Sequence, residues 1–107
     1  PEKKRQLLLE HILLDALMLL NLLETNPQNT ESKFEDYISN AEVIAEELAK
    51  LMESLGLSDE AEKFKKIKQW LREVWRIWSS TNWSTLEDKA RELLNRIITT
   101  IQSQIFY

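Results

Sequence analysis

A chain of 107 residues with one glycine and two prolines has few places to turn, and their positions decide what it can fold into. An all-β chain needs a turn residue every few positions, so sheets are excluded. Residues 2 to 24 run without a breaker as far as Thr25-Asn26-Pro27-Gln28-Asn29-Thr30. Proline disfavours helical geometry at the residue before it and removes a donor, so a first helix stops near Glu24. Ser32-Lys33-Phe34-Glu35 has capping-box spacing, with Asn29 and Thr30 as caps one turn earlier. A second helix then runs to Leu55 and ends at Gly56, where a left-handed residue is expected. Ser58, followed by Asp59, Glu60 and Glu62, reads as an N-cap with acidic groups on the positive end of the helix dipole. Ser79-Ser80-Thr81-Asn82 forms the next turn, and Ser84-Thr85-Leu86-Glu87 is a further capping box. The spacing predicts helices over about 2–24, 31–55, 59–79 and 85–106.

Helices of this length joined by short links pack as antiparallel neighbours, because a parallel neighbour needs a long crossover. The expected fold is all-α, an up-down-up-down antiparallel four-helix bundle with short loops, forming a single domain over residues 1–107. Such a chain buries roughly two-thirds of its unfolded surface, enough for a core. Its 18 acidic against 14 basic residues, for a net charge of −4, give no basic footprint for nucleic acid. Without cysteine it has no disulfide and no thiolate chemistry. Lys3, Lys4 and Arg5 before an apolar stretch invite comparison with a signal peptide, but Glu10, His11, Asp15 and Asn21 interrupt that stretch. No small-residue cleavage site follows, so no targeting signal is read. The same four residues argue against membrane insertion.

A helix in a small bundle needs one apolar stripe and is polar elsewhere. On a wheel of about 100° per residue, Leu9, Ile12, Leu13, Ala16, Leu19, Leu20 and Leu23 form the core face of the first helix. Leu7, Leu14, Met18 and Leu22 fall on the opposite side with His11 and Asp15. An apolar patch of that kind marks a binding surface or an aggregation liability. A wider core, or dimerisation through this face, is also compatible with the pattern. The second helix has Phe34, Tyr37, Ala41, Ile44, Ala45, Leu48 and Met52 as its core and Asp36, Asn40, Val43 and Glu47 outside. In the third, Phe64, Ile67, Leu71, Val74 and Trp78 form a narrow core stripe under a solvated lysine- and arginine-rich face. Two or more of Trp70, Trp75, Trp78 and Trp83 are expected in the core or at the bundle ends.

The fourth helix carries no charge after Arg96. Its core reads Leu86, Ala90, Leu93, Leu94, Ile97, Ile98, Ile101 and Ile105, and its opposite face Asn95, Thr99, Gln102, Ser103 and Phe106. Neutral hydrogen-bonding groups cost less to desolvate than charges and suit an interface centre; a frayed C-terminus is the plainer reading. Catalysis has little to work with. His11 is the only histidine and is placed outward, so no triad can be assembled around it. No Glu-x-x-His pair supports a di-metal bundle, and one glycine cannot build a phosphate loop. No enzyme activity, metal or cofactor is expected. The Asn82-Trp83-Ser84 triplet matches a glycosylation acceptor by chance.

These outward faces carry a resemblance. Residues 6–21, QLLLEHILLDALMLLN, resemble the first helix of interleukin-2 through Gln6, Leu7, Leu9, Glu10, His11, Leu13, Leu14, Asp15, Met18, Leu20 and Asn21. Asp36, Ile38, Ser39, Asn40, Val43, Ile44 and Glu47 resemble that cytokine's third helix. Asn95, Arg96, Ile98, Thr99, Gln102 and Ser103 resemble its fourth. The third helix here matches nothing in the natural cytokine. Over its whole length, including Asp59-Glu60-Ala61-Glu62-Lys63, the chain is similar to the de novo designed interleukin-2/interleukin-15 mimetics of the neoleukin type. Natural four-helix cytokines run up-up-down-down with long crossovers. Short loops here fit a rebuilt bundle.

The resemblance implies agonism at the receptor pair shared by interleukin-2 and interleukin-15, acting outside the cell, with the free protein a monomer. It implies a receptor β-subunit site of Leu7, His11, Leu14, Asp15 and Met18 with Asp36, Ser39, Asn40, Val43 and Ile44. It implies a common γ-subunit site of Glu10, Asn95, Thr99, Gln102 and Ser103. Of these, Ile44 alone falls on the core side of the wheel. Leu8 and Leu17 depart from the family, standing where the natural helix has glutamines, and Phe106 replaces a small polar residue near the γ face. The long loop used for the α subunit has no counterpart, so no α binding is expected. The alternative is a structural bundle that self-associates through the outer face of its first helix.

Overall fold

The computed structural model describes residues 2–25, 31–80 and 83–105. They form α1 (Glu2–Thr25), α2 (Glu31–Ser54), α3 (Ser58–Trp78) and α4 (Trp83–Ile105). Among the described residues there is no strand. A helix the length of α1 or α2 spans about 36 Å, which matches a molecule of 42 × 20 × 20 Å with the helices along its long dimension. Each helix packs on its neighbours in sequence, and α4 closes the ring by packing on α1.

The core follows an alternating three- and four-residue rhythm. On α1 the buried side chains Leu9, Ile12, Ala16, Leu19 and Leu23 make the central stripe, and Asp15 and Leu22 are buried beside it. On α2 the stripe is Phe34, Ile38, Ala41, Ala45, Leu48 and Met52, flanked by buried Ile44 and Ala49. Ile38 and Ala49 extend the core predicted from the wheel, while Tyr37 is only partly buried. α3 contributes Ala61, Phe64, Ile67, Leu71, Val74, Ile77 and Trp78. α4 contributes Ala90, Leu93, Leu94, Ile97, Ile98 and Ile101. Phe34 and Trp78 stack with ring centroids 3.9 Å apart and planes 4° from parallel, tying α2 to α3. Trp70 and Trp75 pack partly buried against the core, and the Arg96 guanidinium lies over the Trp70 ring at 5.6 Å from its centroid.

The α2–α3 connection explains why the only glycine is where it is. Gly56 has φ +77. Its N–H donates to the Glu53 carbonyl at 3.0 Å, and the Leu57 N–H donates to the Met52 carbonyl at 2.9 Å. This pair of bonds is a Schellman closure, which needs a left-handed residue at the position Gly56 holds. Ser58 is not the cap of α3: it is the first helical residue, and Leu57 takes the cap position without a side-chain bond. The Schellman closure commits Leu57 to α2, so the chain enters α3 directly, and Asp59 and Glu60 fall in the first turn. Likewise Ser32 and Ser84 lie inside α2 and α4, one residue past their starts at Glu31 and Trp83. The alternative caps Asn29 and Thr30 lie outside the described residues.

Candidate functional site: the outer faces of α1, α2 and α4

On α1, Leu7 is 59% exposed and Leu14 56%, with His11 exposed between them. Met18 is half-buried. On α2, which packs beside α1, Asp36, Ser39 and Asn40 are exposed and Val43 is 56% exposed. Leu17 on α1 adds another exposed leucine that the predicted sites omit.

Two residues of the expected β set are not on the surface. Asp15 is 3% exposed, and Leu22, predicted beside it on the outer face, is buried too. The cause is that α1 has a helix on each side, α2 and α4, so its buried stripe is broader than a single wheel sector. Leu8, Asp15 and Leu22 recur every seven residues, and the seven-residue repeat of a bundle keeps such positions beside the core stripe. Ile44 is 7% exposed, as its wheel position predicts and as the resemblance does not.

Asp15 has an uncommon environment. Its Oδ2 is buried and has no hydrogen-bond partner. Loss of water raises its pKa above the usual carboxylate value, and the charge of His11, one turn earlier, opposes that rise only in part. Arg5 Nε, near the start of α1, is likewise buried without a partner, while its guanidinium reaches Glu2 at 3.2 Å.

The second face combines α4 with a flank of α1. Asn95, Thr99 and Gln102 are exposed on α4, and Ser103 is half-buried. Glu10 on α1 is exposed and accepts a bond from Gln6 Nε2 at 3.3 Å. The Ser103 hydroxyl donates to the Thr100 carbonyl at 2.7 Å, and the Thr100 hydroxyl to the Arg96 carbonyl at 2.8 Å. Ser103 is therefore left with acceptor capacity alone toward a partner. Thr99, Gln102 and Asn95 keep their hydrogen-bonding groups at the surface. Phe106 lies outside the described residues.

The outer side of α3 is built differently. Lys65 bonds Glu53 at 2.7 Å, Lys68 pairs with Glu46 at 3.5 Å, and Arg72 pairs with Glu42 at 3.8 Å, all across to α2. Glu73 is paired with Arg76, whose guanidinium holds the carboxyl below its usual pKa. Among the described residues, no three His, Asp or Glu side chains gather to hold a metal ion. By length and apolarity alone α1 would pass for a membrane-crossing helix, a test that the core helix of a soluble protein and an N-terminal signal sequence also pass. Here its central stripe is packed against the other helices.

No protein-family model matches the chain, and no curated protein aligns with it significantly.

Proposed function

We propose that the chain is a cytokine-like agonist that binds the interleukin-2 receptor β subunit and the common γ subunit and signals by bringing them together. The β subunit would dock on Leu7, His11, Leu14 and Met18 of α1 with Asp36, Ser39, Asn40 and Val43 of α2. The γ subunit would dock on Glu10 of α1 with Asn95, Thr99, Gln102 and Ser103 of α4. Asp15 and Ile44 would support the β site from beneath it. No α-subunit contact, cofactor or chemical step belongs to this mechanism; proximity of two receptor chains outside the cell is the whole of it. Each face would cover about 800 Å² if its complex is of standard size.

One observation carries the reading. Most side chains that match the cytokine's helices stand on the outer surface, grouped on two pairs of adjacent helices, where core packing makes no demand for them. Large exposed leucines do nothing for a lone bundle and mark a docking surface. We further propose a single domain with up-down-up-down connectivity. The cross-helix pairs support it: from Lys65 through Lys68 to Arg72 along α3, the partners step back along α2 from Glu53 through Glu46 to Glu42. Arg91 near the start of α4 reaches Glu24 near the end of α1 at 3.5 Å.

Surface-based binding to the β ectodomain, to γ, and to γ after β capture tests the proposal. Binding to β with stronger recruitment of γ onto the captured complex is the expected result. A folded monomer that ignores β would sink it. The exposed Leu7, Leu14 and Leu17 also favour a second reading, self-association through α1. Sedimentation at micromolar concentration separates the two, since a tight dimer through this face would hide the β site.

A further inference from the structure

Among the described residues, Asp15 is the only buried side chain that can carry a charge. A buried carboxylate without a donor is strongly disfavoured, and two things relieve it: a proton, or a hydrogen-bond donor brought from outside. Among the described residues no donor reaches Oδ2. Among the described residues, no charge on the neighbouring helices acts on it. Lys33, Asp36 and Glu47 on α2 are exposed, and Arg91 on α4 is occupied by Glu24, Glu87 and Asp88. His11 on α1 itself is the one charge that acts on the carboxyl, and it is exposed. Asp15 also sits between the exposed Leu14 and the half-buried Met18 in sequence, one turn from His11, under the surface assigned to the β subunit.

We propose that Asp15 links proton binding to partner binding at this face: its buried, partnerless oxygen holds a proton more readily in the free bundle than with a docked partner's donor beside it, so docking and protonation oppose each other. The inference rests on the receptor reading for the partner's identity, but its first half concerns the free protein alone. Because the folded-state pKa is raised, the folded chain holds this proton more tightly than the unfolded chain. Stability contributed at this site is therefore greatest at low pH and declines as pH rises from the ordinary aspartate value, about 3.9, through the folded-state value. Partner affinity runs the opposite way, falling as the pH drops through the free protein's Asp15 pKa by up to about tenfold per pH unit.

The test compares the wild type with Asp15→Asn, which keeps the shape and cannot ionise, and with His11→Gln, which removes the imidazole one turn away. Urea unfolding from about pH 4 to about pH 7 is expected to show the wild-type midpoint falling relative to Asp15→Asn as pH rises. A carbon-13 titration of the Asp15 carboxyl in the folded protein is expected to give a midpoint above the ordinary value. Over the same range, the ratio of wild-type to Asp15→Asn affinity for the β ectodomain should fall toward low pH, and the ratio of His11→Gln to Asp15→Asn affinity should fall as well. Parallel unfolding curves with an ordinary carboxyl titration would overturn the proton half. A slope carried equally by Asp15→Asn would overturn the docking half. A folded wild type that binds no β subunit at any pH overturns the receptor reading and the docking half together, and the unfolding comparison still decides the proton half.

Discussion

The outer faces of α1 and α3 belong to helices of similar length, yet they treat charge in opposite ways. On α3, Glu73 is exposed to an arginine partner one turn away and its carboxyl is held below the usual pKa. On α1, Asp15 is buried with an oxygen that no group in the bundle satisfies, and its pKa is raised. α3 presents Lys65, Lys68 and Arg72 to acidic partners on α2, whereas α1 presents Leu7, Leu14 and Leu17 to solvent. A face selected only for stability looks like α3: satisfied, charged and free of apolar patches. The contrast teaches that α1 departs from that solution at Leu7, Leu14 and Leu17, the departure on which the proposed docking surface rests.

The largest effect that can break this contrast is on binding. Leu7→Glu together with Leu14→Glu is expected to lower β-subunit affinity by about 2 kcal/mol or more, the scale of interface hot spots. The same pair should move unfolding stability by no more than ~0.5 kcal/mol, since neither leucine contributes to the core. A stability loss matching the binding loss would mean that the outer face of α1 is structural after all. Next comes Asp15→Leu, expected to stabilise the free bundle at neutral pH by about 1–3 kcal/mol by removing an unsatisfied buried oxygen, read from chemical denaturation. No gain would place an unseen donor at Oδ2. Gln102→Ala is expected to cost about 1 kcal/mol in γ recruitment, with β binding unchanged. Equal loss at both subunits would point to a folding defect in α4.

Most of the fold was legible because the breakers are so few. Pro27 and Gly56 set two helix ends directly, and the structure's boundaries lie within one or two residues of those expected. The caps were harder, because a serine beside acidic residues looks like an N-cap whether or not the preceding turn has already committed the chain, as the closure at Gly56 and Leu57 does. In the candidate site, exposure was legible where it follows from one helix alone: Leu7, Leu14, Val43, Asn95 and Gln102 are exposed as their wheel positions say. It failed at Asp15 and Leu22, whose burial depends on how far the neighbouring helices wrap around α1. That is a property of the packed bundle: Asp15 gives the pattern no apolar mark, and Leu22 falls on the outer side of a wheel drawn for one helix.

The smallest effect sharpens the comparison from the α3 side. Lys68 pairs with Glu46 at 3.5 Å, with the lysine side chain about a quarter exposed and the glutamate about half. Such a pair contributes less than about 1 kcal/mol, and salt screens it. Lys68→Met keeps most of the aliphatic stem that packs along the helix while removing the charge. It should therefore lower stability slightly at low ionic strength and leave it unchanged at about 1 M salt, where the screening length falls to about 3 Å. Receptor binding should not respond at all. If Lys68→Met weakened β binding as strongly as the leucine changes on α1, the division between a stabilising α3 face and a docking α1 face would be wrong, because the ion-pair ladder on the far side of α2 would then be part of the recognised surface.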